Sequence, residues 1–367
     1  MFDYLIVGAG YSGCVLAERI ATQLKKKVLI VERRDHIGGN AYDYHDEAGI
    51  RLHKYGPHWF HTNDKKIFAY LSQFTEWRFH NHIVKSSVNG KILPIPINMD
   101  TVNELYGLQL QSPAEVQAFY DSVKVDIRVP GNAEEKVLSM VGHDLYNTFF
   151  RNYTRKHWGI DPKELDAGVT ARIPVRTDRD DRYFNDIYQG LPKRGYADMF
   201  RHMISDKRIS VLLQTDYRDV LDTIKFKKMI YTGAIDDFFD YTYGKLPYRS
   251  LTFEHETLDM EYFQPCQQVN YPNTYDFTRI VEWKHATGQA HKKTTITREY
   301  PCAATEGREK YYPVPSQANH ILFRKYKEGT KKLRSVIFCG RLADYKYYNM
   351  DQVVARAMMV FRKRIVG

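Results

Sequence analysis

The chain has 367 residues, 43% of them hydrophobic and 27% charged, the balance of a folded globular protein of about two to three domains and not of a disordered one. No run approaches the ~18 apolar residues of a membrane helix and no repeat of roughly 20–50 residues is present, which excludes a helical spanning protein and a solenoid. The formal net charge of +10 comes from basic residues interleaved with acids and dense only at Arg362-Lys363-Arg364. That spread suits an anionic small substrate in a basic cleft better than nucleic acid, with weak attraction to an anionic membrane surface as a third reading.

Asp3 comes early and no basic stretch precedes the first apolar run, so no signal peptide is expected. The four cysteines, Cys14, Cys266, Cys302 and Cys339, form no C-x-x-C pair. Free thiols in a reducing cytoplasm are expected, without a zinc site or disulfide framework.

Asp3 to Val7 is a short apolar run with β-branched residues and predicts a buried strand. It enters Gly8-Ala9-Gly10-Tyr11-Ser12-Gly13, then a helical pattern from Cys14 to about Leu24, then a second strand from Lys27 to Val31 that ends on Glu32. This is a dinucleotide fingerprint in its proper context. Gly8 makes the tight turn, Gly10 admits a pyrophosphate close to the backbone, and Gly13 lets helix and strand pack closely. The helix N-terminus faces the phosphates, and Glu32 is placed to accept from a ribose 2′-hydroxyl, against a 2′-phosphate and so against NADP. Gly38-Gly39-Asn40, shortly after Arg33, allows a second close backbone approach. An acid followed after about six residues by Gly-Gly is similar to FAD-binding proteins of the glutathione-reductase and amine-oxidase type.

Further along, Ile83–Val88 and Lys91–Ile95 read as a hairpin turning at Asn89-Gly90. Residues 100 to 165 read as helical, with amphipathic spacing in 113–120 and 133–141. The charged, turn-rich stretch 161–181, which carries Arg172, is expected to be a mobile lid. Ser210–Leu213, Lys228–Thr232 and Val336–Cys339 read as strands of the dinucleotide domain. Thr294–Tyr300 alternates as a half-buried strand of a second sheet. The expected fold class is α/β: a Rossmann-like FAD-binding domain with an inserted helical domain and an antiparallel-sheet substrate domain. The FAD domain is expected to be discontinuous, over 1–85, 190–240 and 315–367. The helical domain takes 100–165, with the lid at about 161–181, and the substrate domain takes 83–98 and 250–312.

A series of motifs runs through this frame. His53-Lys54-Tyr55-Gly56-Pro57-His58-Trp59-Phe60-His61-Thr62-Asn63 is followed by Leu93-Pro94-Ile95-Pro96-Ile97-Asn98. Tyr153-Thr154-Arg155-Lys156-His157-Trp158-Gly159 and Arg172-Ile173-Pro174-Val175-Arg176 come next. Tyr311-Tyr312-Pro313-Val314 and Gly340-Arg341-Leu342-Ala343-Asp344-Tyr345-Lys346-Tyr347-Tyr348-Asn349-Met350 complete it. In this order and over nearly the whole chain, the series resembles the bacterial UDP-galactopyranose mutase family.

The resemblance implies an isomerase that interconverts pyranose and furanose rings of a nucleotide-diphosphate sugar. It implies FAD, active when reduced, with no net redox change. In that family N5 of the reduced flavin attacks the anomeric carbon and expels the diphosphate, and the ring then opens and recloses on another hydroxyl. An anionic leaving group calls for cations, and Arg172 and Arg279 match the family's diphosphate clamp. Tyr183, Tyr312 and Tyr347 match diphosphate hydrogen-bonding positions. Tyr153 matches the face on which uracil stacks, and Phe149 and Phe150, a helical turn earlier, either wall that pocket or belong to the core. Trp158 matches a mobile-loop residue that swings over the substrate. Asn270 and Asn81 are carried over as substrate contacts, and Arg341 as part of the second FAD contact region. His58 and His61 are candidates for tuning protonation or binding a sugar hydroxyl; no third metal ligand accompanies them, and no metal is expected. A homodimer is a further expectation.

Three departures bear on the sugar. Asn349 stands where the family usually has Asp, Trp59 where a smaller aliphatic residue is common, and 273–276 differs from the usual loop. UDP-galactose is the default substrate, with UDP-N-acetylgalactosamine and dTDP-fucose as alternatives. The different-class rival is a flavin amine or porphyrinogen oxidase, which shares the early motifs but needs no diphosphate clamp.

Overall fold

A computed structural model describes residues 1–171, 173–305 and 307–367; Arg172 therefore lies outside the described residues. Phe2–Val7 is the middle strand of a five-stranded parallel sheet, ordered Ile209–Leu212, Val28–Val31, Phe2–Val7, Phe226–Tyr231, Val336–Phe338. Its inner strands are covered on both faces, which is why they read as unbroken apolar runs. On one face, helices Tyr11–Leu24 and Met350–Val360 pack through Leu16, Ile20, Val354 and Ala357 against Ile6 and Ile30. On the other, Leu5, Leu29 and Met229 meet Tyr217 and Val220. The later strands stop one residue short of their expected ends, and Leu213, Thr232 and Cys339 leave the sheet.

The second sheet has seven strands, ordered Tyr312–Pro313, Tyr248–Leu258, Thr294–Ala303, Arg279–Glu282, Gln268–Asn270, Val84–Val88, Lys91–Ile95. It is antiparallel except where Gln268–Asn270 runs parallel to Val84–Val88. The Asn89-Gly90 turn has positive φ at both residues, 51° and 76°, the geometry that matches strand twist in a tight hairpin.

Helices Met99–Tyr106, Pro113–Val123 and Ala133–Leu145 cover this hairpin, burying Val102, Val116, Val137 and Val141 against Val84, Val88 and Leu93. Ser112 and Glu115 form a capping box that starts the second helix, satisfying N–H groups that the helix cannot pair itself. Two small ladders, Asp43–His45 with Arg51–His53 and Phe60–Thr62 with Tyr188–Pro192 and Trp77–Phe79, lie outside the two large sheets. Four of these five strands have three residues, too short to leave a period in the sequence. No helix is long and apolar enough to cross a membrane among the described residues.

Candidate active site

A cavity of about 660 Å³ opens at the carboxyl ends of the parallel strands, where Val7, Val31 and Tyr231 end, the usual ligand position in such sheets. Gly8, Gly10, Glu32, Arg33, Gly38, Gly39, Asn40, His58 and Arg341 all line it. The glycines explain why it is open. Gly8 has φ of 101°, and a Cβ there would stand 2.3 Å from Thr232 Oγ1. A Cβ on Gly39, whose φ is 56°, would stand 2.8 Å from the Gly10 Cα. Two bare backbones thus face each other where a phosphate chain would run. Gly13 is not part of the lining; a Cβ on it would reach 2.0 Å from the Gly8 carbonyl, so its role is the close helix–strand packing.

Glu32 ties this loop together. Its Oε2 accepts from the Ala9 N–H at 2.9 Å and its Oε1 from the Arg34 N–H at 3.0 Å, and each oxygen keeps a lone pair for a ribose hydroxyl. Arg33 is largely exposed, 3.6 Å from Glu309. Arg34, which the sequence reading passed over, is the buried cation of the pair. It donates to Glu309 and to Asn40 Oδ1 and lies 4.1 Å over the Tyr55 ring. A backbone-lined cradle, a helix N-terminus and an acid at the second strand's end fit a flavin dinucleotide.

The two histidines separate. His58 lines the cavity. Its Nδ1 lies 2.9 Å from the Gly56 carbonyl, which only accepts, so Nδ1 carries the proton and Nε2 a lone pair. Burial pushes the His58 pKa down to about 4; the Gly56 carbonyl opposes this, and Arg341, Arg279 and Arg34 reinforce it. His61 instead pairs with Asp186 at 2.8 Å and stacks on Phe184 at 3.6 Å.

Beyond His58 stands a second group of side chains. Arg279 Nη2 donates to Glu299 Oε2 at 2.7 Å. Among the described residues, the buried atoms Arg279 Nε and Glu299 Oε1 have no hydrogen-bond partner. Burial works against the Arg279 charge, but Glu299, Tyr153 and Tyr312 outweigh it and raise the pKa. Tyr312 and Tyr347 stack at 5.5 Å, and the Arg341 guanidinium lies over both, 5.7 and 5.3 Å from their centroids. Trp158 closes the group, 6.2 Å from Tyr312 and 6.5 Å from Tyr347. Glu299 was missed because its partner is not local: it is an acid at an inward position of Thr294–Ala303, registered opposite Arg279.

Several expected substrate contacts lie differently. Phe149 and Phe150 are 5% and 6% exposed in the core of the helical unit. They sit on a π-helical turn, Tyr146–Arg151, whose wider register carries both inward. Trp158 is the last residue of helix Asn152–Trp158, not of a loop, because Gly159 at φ 72° ends the helix after it. It packs with Ala133, Leu165 and Val314. Tyr183 packs beside His82 and Phe184, at 5.4 and 5.0 Å. Asn81 is exposed, and its carbonyl accepts from Gln267. Asn270 is buried, opposite Arg279 in register, with its side-chain oxygen accepting from Gln268. Asn349 is the N-cap of helix Met350–Val360, its N–H donating to Gln352 Oε1 at 3.1 Å. Trp59 points away from the cavity, onto His53, His82 and Trp283.

The expected lid is tied down in several places. Asp166 pairs with His320 at 2.7 Å, Thr170 Oγ1 donates to the Ala133 carbonyl, and the Arg176 carbonyl accepts from Tyr120. Among the described residues no group of three or more His, Cys, Asp or Glu side chains is arranged to hold a metal.

Residues 148–347 match the family model described as UDP-galactopyranose mutase, and residues 6–74 match an NAD(P)-binding Rossmann-like domain. A Klebsiella pneumoniae protein named "Probable UDP-galactopyranose mutase" is 38% identical over 97% of this chain and 93% of its own. The chain belongs to the UDP-galactopyranose mutase family. A dTDP-fucopyranose mutase of Escherichia coli is 35% identical over 98% of this chain and 97% of its own. The fold matches a crystal structure of reduced UDP-galactopyranose mutase with a TM-score of 0.77, at 16% identity, over 97% of this chain and 94% of that one. A putrescine oxidase variant shares the fold more distantly, with a TM-score of 0.62 at 11% identity, over 100% of this chain and 99% of that one. Family and fold together point to a flavin as the dinucleotide.

Proposed function

We propose that the protein is a flavin-dependent mutase interconverting the pyranose and furanose forms of a nucleotide sugar, with UDP-galactose as the sugar nucleotide. The observation that carries this reading is Arg279. It is half-buried, paired with Glu299 and within the electrostatic reach of Tyr153 and Tyr312, and it adjoins the dinucleotide cavity through His58 and Arg341. An oxidase acting on an amine or a porphyrinogen has no use for such a group. A diphosphate leaving group needs it, because negative charge develops as its bond to the anomeric carbon breaks.

The residues divide the work by chemistry. Arg279, with Arg172 from the Arg-Ile-Pro-Val-Arg motif, takes the diphosphate oxygens, for which a planar fork of donors is suited. The hydroxyls of Tyr312 and Tyr347 add neutral donors. Tyr153 offers its ring to the base, and Trp158 excludes water beside the tyrosine pair. His58, neutral at pH 7, keeps Nε2 as an acceptor at the cavity wall and would orient a hydroxyl without competing for protons. Gly10, Gly39 and Glu32 hold the cofactor. When bound and reduced, the flavin supplies the nucleophile that displaces the diphosphate. We place the enzyme in the cytoplasm, as a homodimer.

The relative that acts on dTDP-fucopyranose and the Asn349 substitution favour dTDP-fucose as the second substrate to test. A substrate carrying ¹⁸O at the anomeric bridging position tests the chemistry. If the bond breaks and re-forms, label moves to non-bridging oxygens of the β-phosphate. Label retained in place, with oxygen consumed in step with substrate, would support the oxidase instead.

A further inference from the structure

The loop Tyr271–Thr278 joins Asn270 to Arg279, which stand opposite each other on adjacent strands. It is closed at its base by the Tyr271 N–H donating to the Thr278 carbonyl at 2.8 Å. Three of the loop carbonyls share one partner. Those of Tyr271, Tyr275 and Phe277 converge on one atom, Lys156 Nζ, at 2.5, 2.7 and 3.2 Å. An ammonium has three N–H donors, and here all three are spent on one loop. Lys156 lies one helical turn after Tyr153 on helix Asn152–Trp158, so the helix that carries the base platform grips the loop that leads to Arg279. A second tie runs beside it: Asn152 donates to Asn273 Oδ1 at 3.0 Å, and Asn273 Nδ2 donates to the Thr148 carbonyl at 3.0 Å.

We propose that Lys156 is a positioning residue. By gathering three loop carbonyls, it fixes the separation between the base platform at Tyr153 and the diphosphate cation at Arg279. The inference rests on the functional reading above, since it assigns the two ends to one nucleotide diphosphate. A nucleoside diphosphate binds well only when its base and phosphates are met together, so a loosened clamp is felt first as weaker nucleotide binding. Chemistry in the bound complex is less affected, because Lys156 touches no reacting atom. Methionine keeps the length of the side chain and removes all three donors. Arginine keeps the charge, but its flat fork cannot converge three bonds on one point.

The test measures UDP and dTDP affinity by calorimetry, and kcat and KM with the reduced holoenzyme, for wild type, Lys156→Met, Lys156→Arg and Asn273→Ala. The expected result for Lys156→Met is affinity lower by about tenfold or more, as for loss of a charged hydrogen-bonding group, with kcat within about threefold of wild type. Lys156→Arg falls between the two. Wild-type affinity in Lys156→Met, or a fall in kcat with affinity unchanged, overturns the proposal. If Lys156→Met does not fold, Asn273→Ala decides: the same split at smaller size supports the clamp, and wild-type affinity overturns it. A wild-type enzyme that binds neither nucleotide removes the functional reading itself, and the clamp with it.

Discussion

Arg279 and Glu299 face each other on adjacent antiparallel strands, and the guanidinium donates to the carboxylate at 2.7 Å. The Glu299 side chain is fully buried and that of Arg279 is 15% exposed. Among the described residues that one hydrogen bond holds the guanidinium and its Nε has no partner, so donors remain for an anion.

Stability and activity can therefore be separated at this pair. Arg279→Ala leaves Glu299 buried without its cation and is expected to cost stability of about 3–5 kcal/mol. It should also lower turnover by about a hundredfold or more, with flavin still bound. Replacing both residues, as Arg279→Met with Glu299→Leu, should restore most of the stability and none of the turnover. Denaturant unfolding and steady-state rates read the two effects independently. Arg172→Ala should match Arg279→Ala in turnover, because both are assigned to the same diphosphate.

Gly39→Ala should empty the cofactor site. The new Cβ would stand 2.8 Å from the Gly10 backbone at a φ of 56°, narrowing the lane between the two glycine turns. Purified variant protein is expected to be colourless, and added FAD should not restore its absorbance. Gly90→Ala is the control: it also has positive φ, but nothing lies within 4 Å, so flavin content should not change.

These two cases show what was legible in the sequence. The strand, glycine turn, helix, strand and acid lie in order along the chain, so their chemistry can be read locally; the same holds for the Asn89-Gly90 hairpin. Pairings between distant strands cannot be read that way. Glu299 and Lys156 are ordinary charged residues until the register sets one beside Arg279 and the other beneath the 271–278 loop. His58 and His61 show the same limit. Three apart, they would share a face of a helix, but in extended chain they point to opposite sides, and only His58 reaches the cavity. Trp59, a larger ring than is common at its place and so a departure expected to bear on the sugar, turns instead toward Trp283.

Acid should weaken the fold through its buried histidines. Burial holds His53 and His82 well below the ordinary value of 6.5, and lowers His58 to about 4. The unfolded chain binds these protons near pH 6.5, and the folded chain binds them only at lower pH. Stability is thus fully present above about pH 6.5 and is lost as pH falls toward 4. The melting temperature should drop across this window, and His58→Asn should drop less. Parallel curves for the two proteins would contradict the assignment.

Asn349 tests sugar choice. As the N-cap of Met350–Val360 it has a structural duty that Asp performs equally well. Asn349→Asp should therefore leave the melting temperature within a degree or so, while shifting the ratio of kcat/KM for UDP-galactofuranose over dTDP-fucofuranose. An unchanged ratio would remove this residue from sugar recognition and leave only the cap.

The most direct measurement is turnover of dithionite-reduced enzyme with UDP-galactofuranose, UDP-N-acetylgalactosamine and dTDP-fucose in parallel, with products resolved by chromatography. The proposed function predicts that at least one, with UDP-galactofuranose first, is isomerised through many turnovers per flavin, that no reductant is used in proportion, and that the oxidised enzyme is inactive. Reductant or oxygen consumed in step with substrate, or no isomer from any of the three with flavin bound, would contradict it.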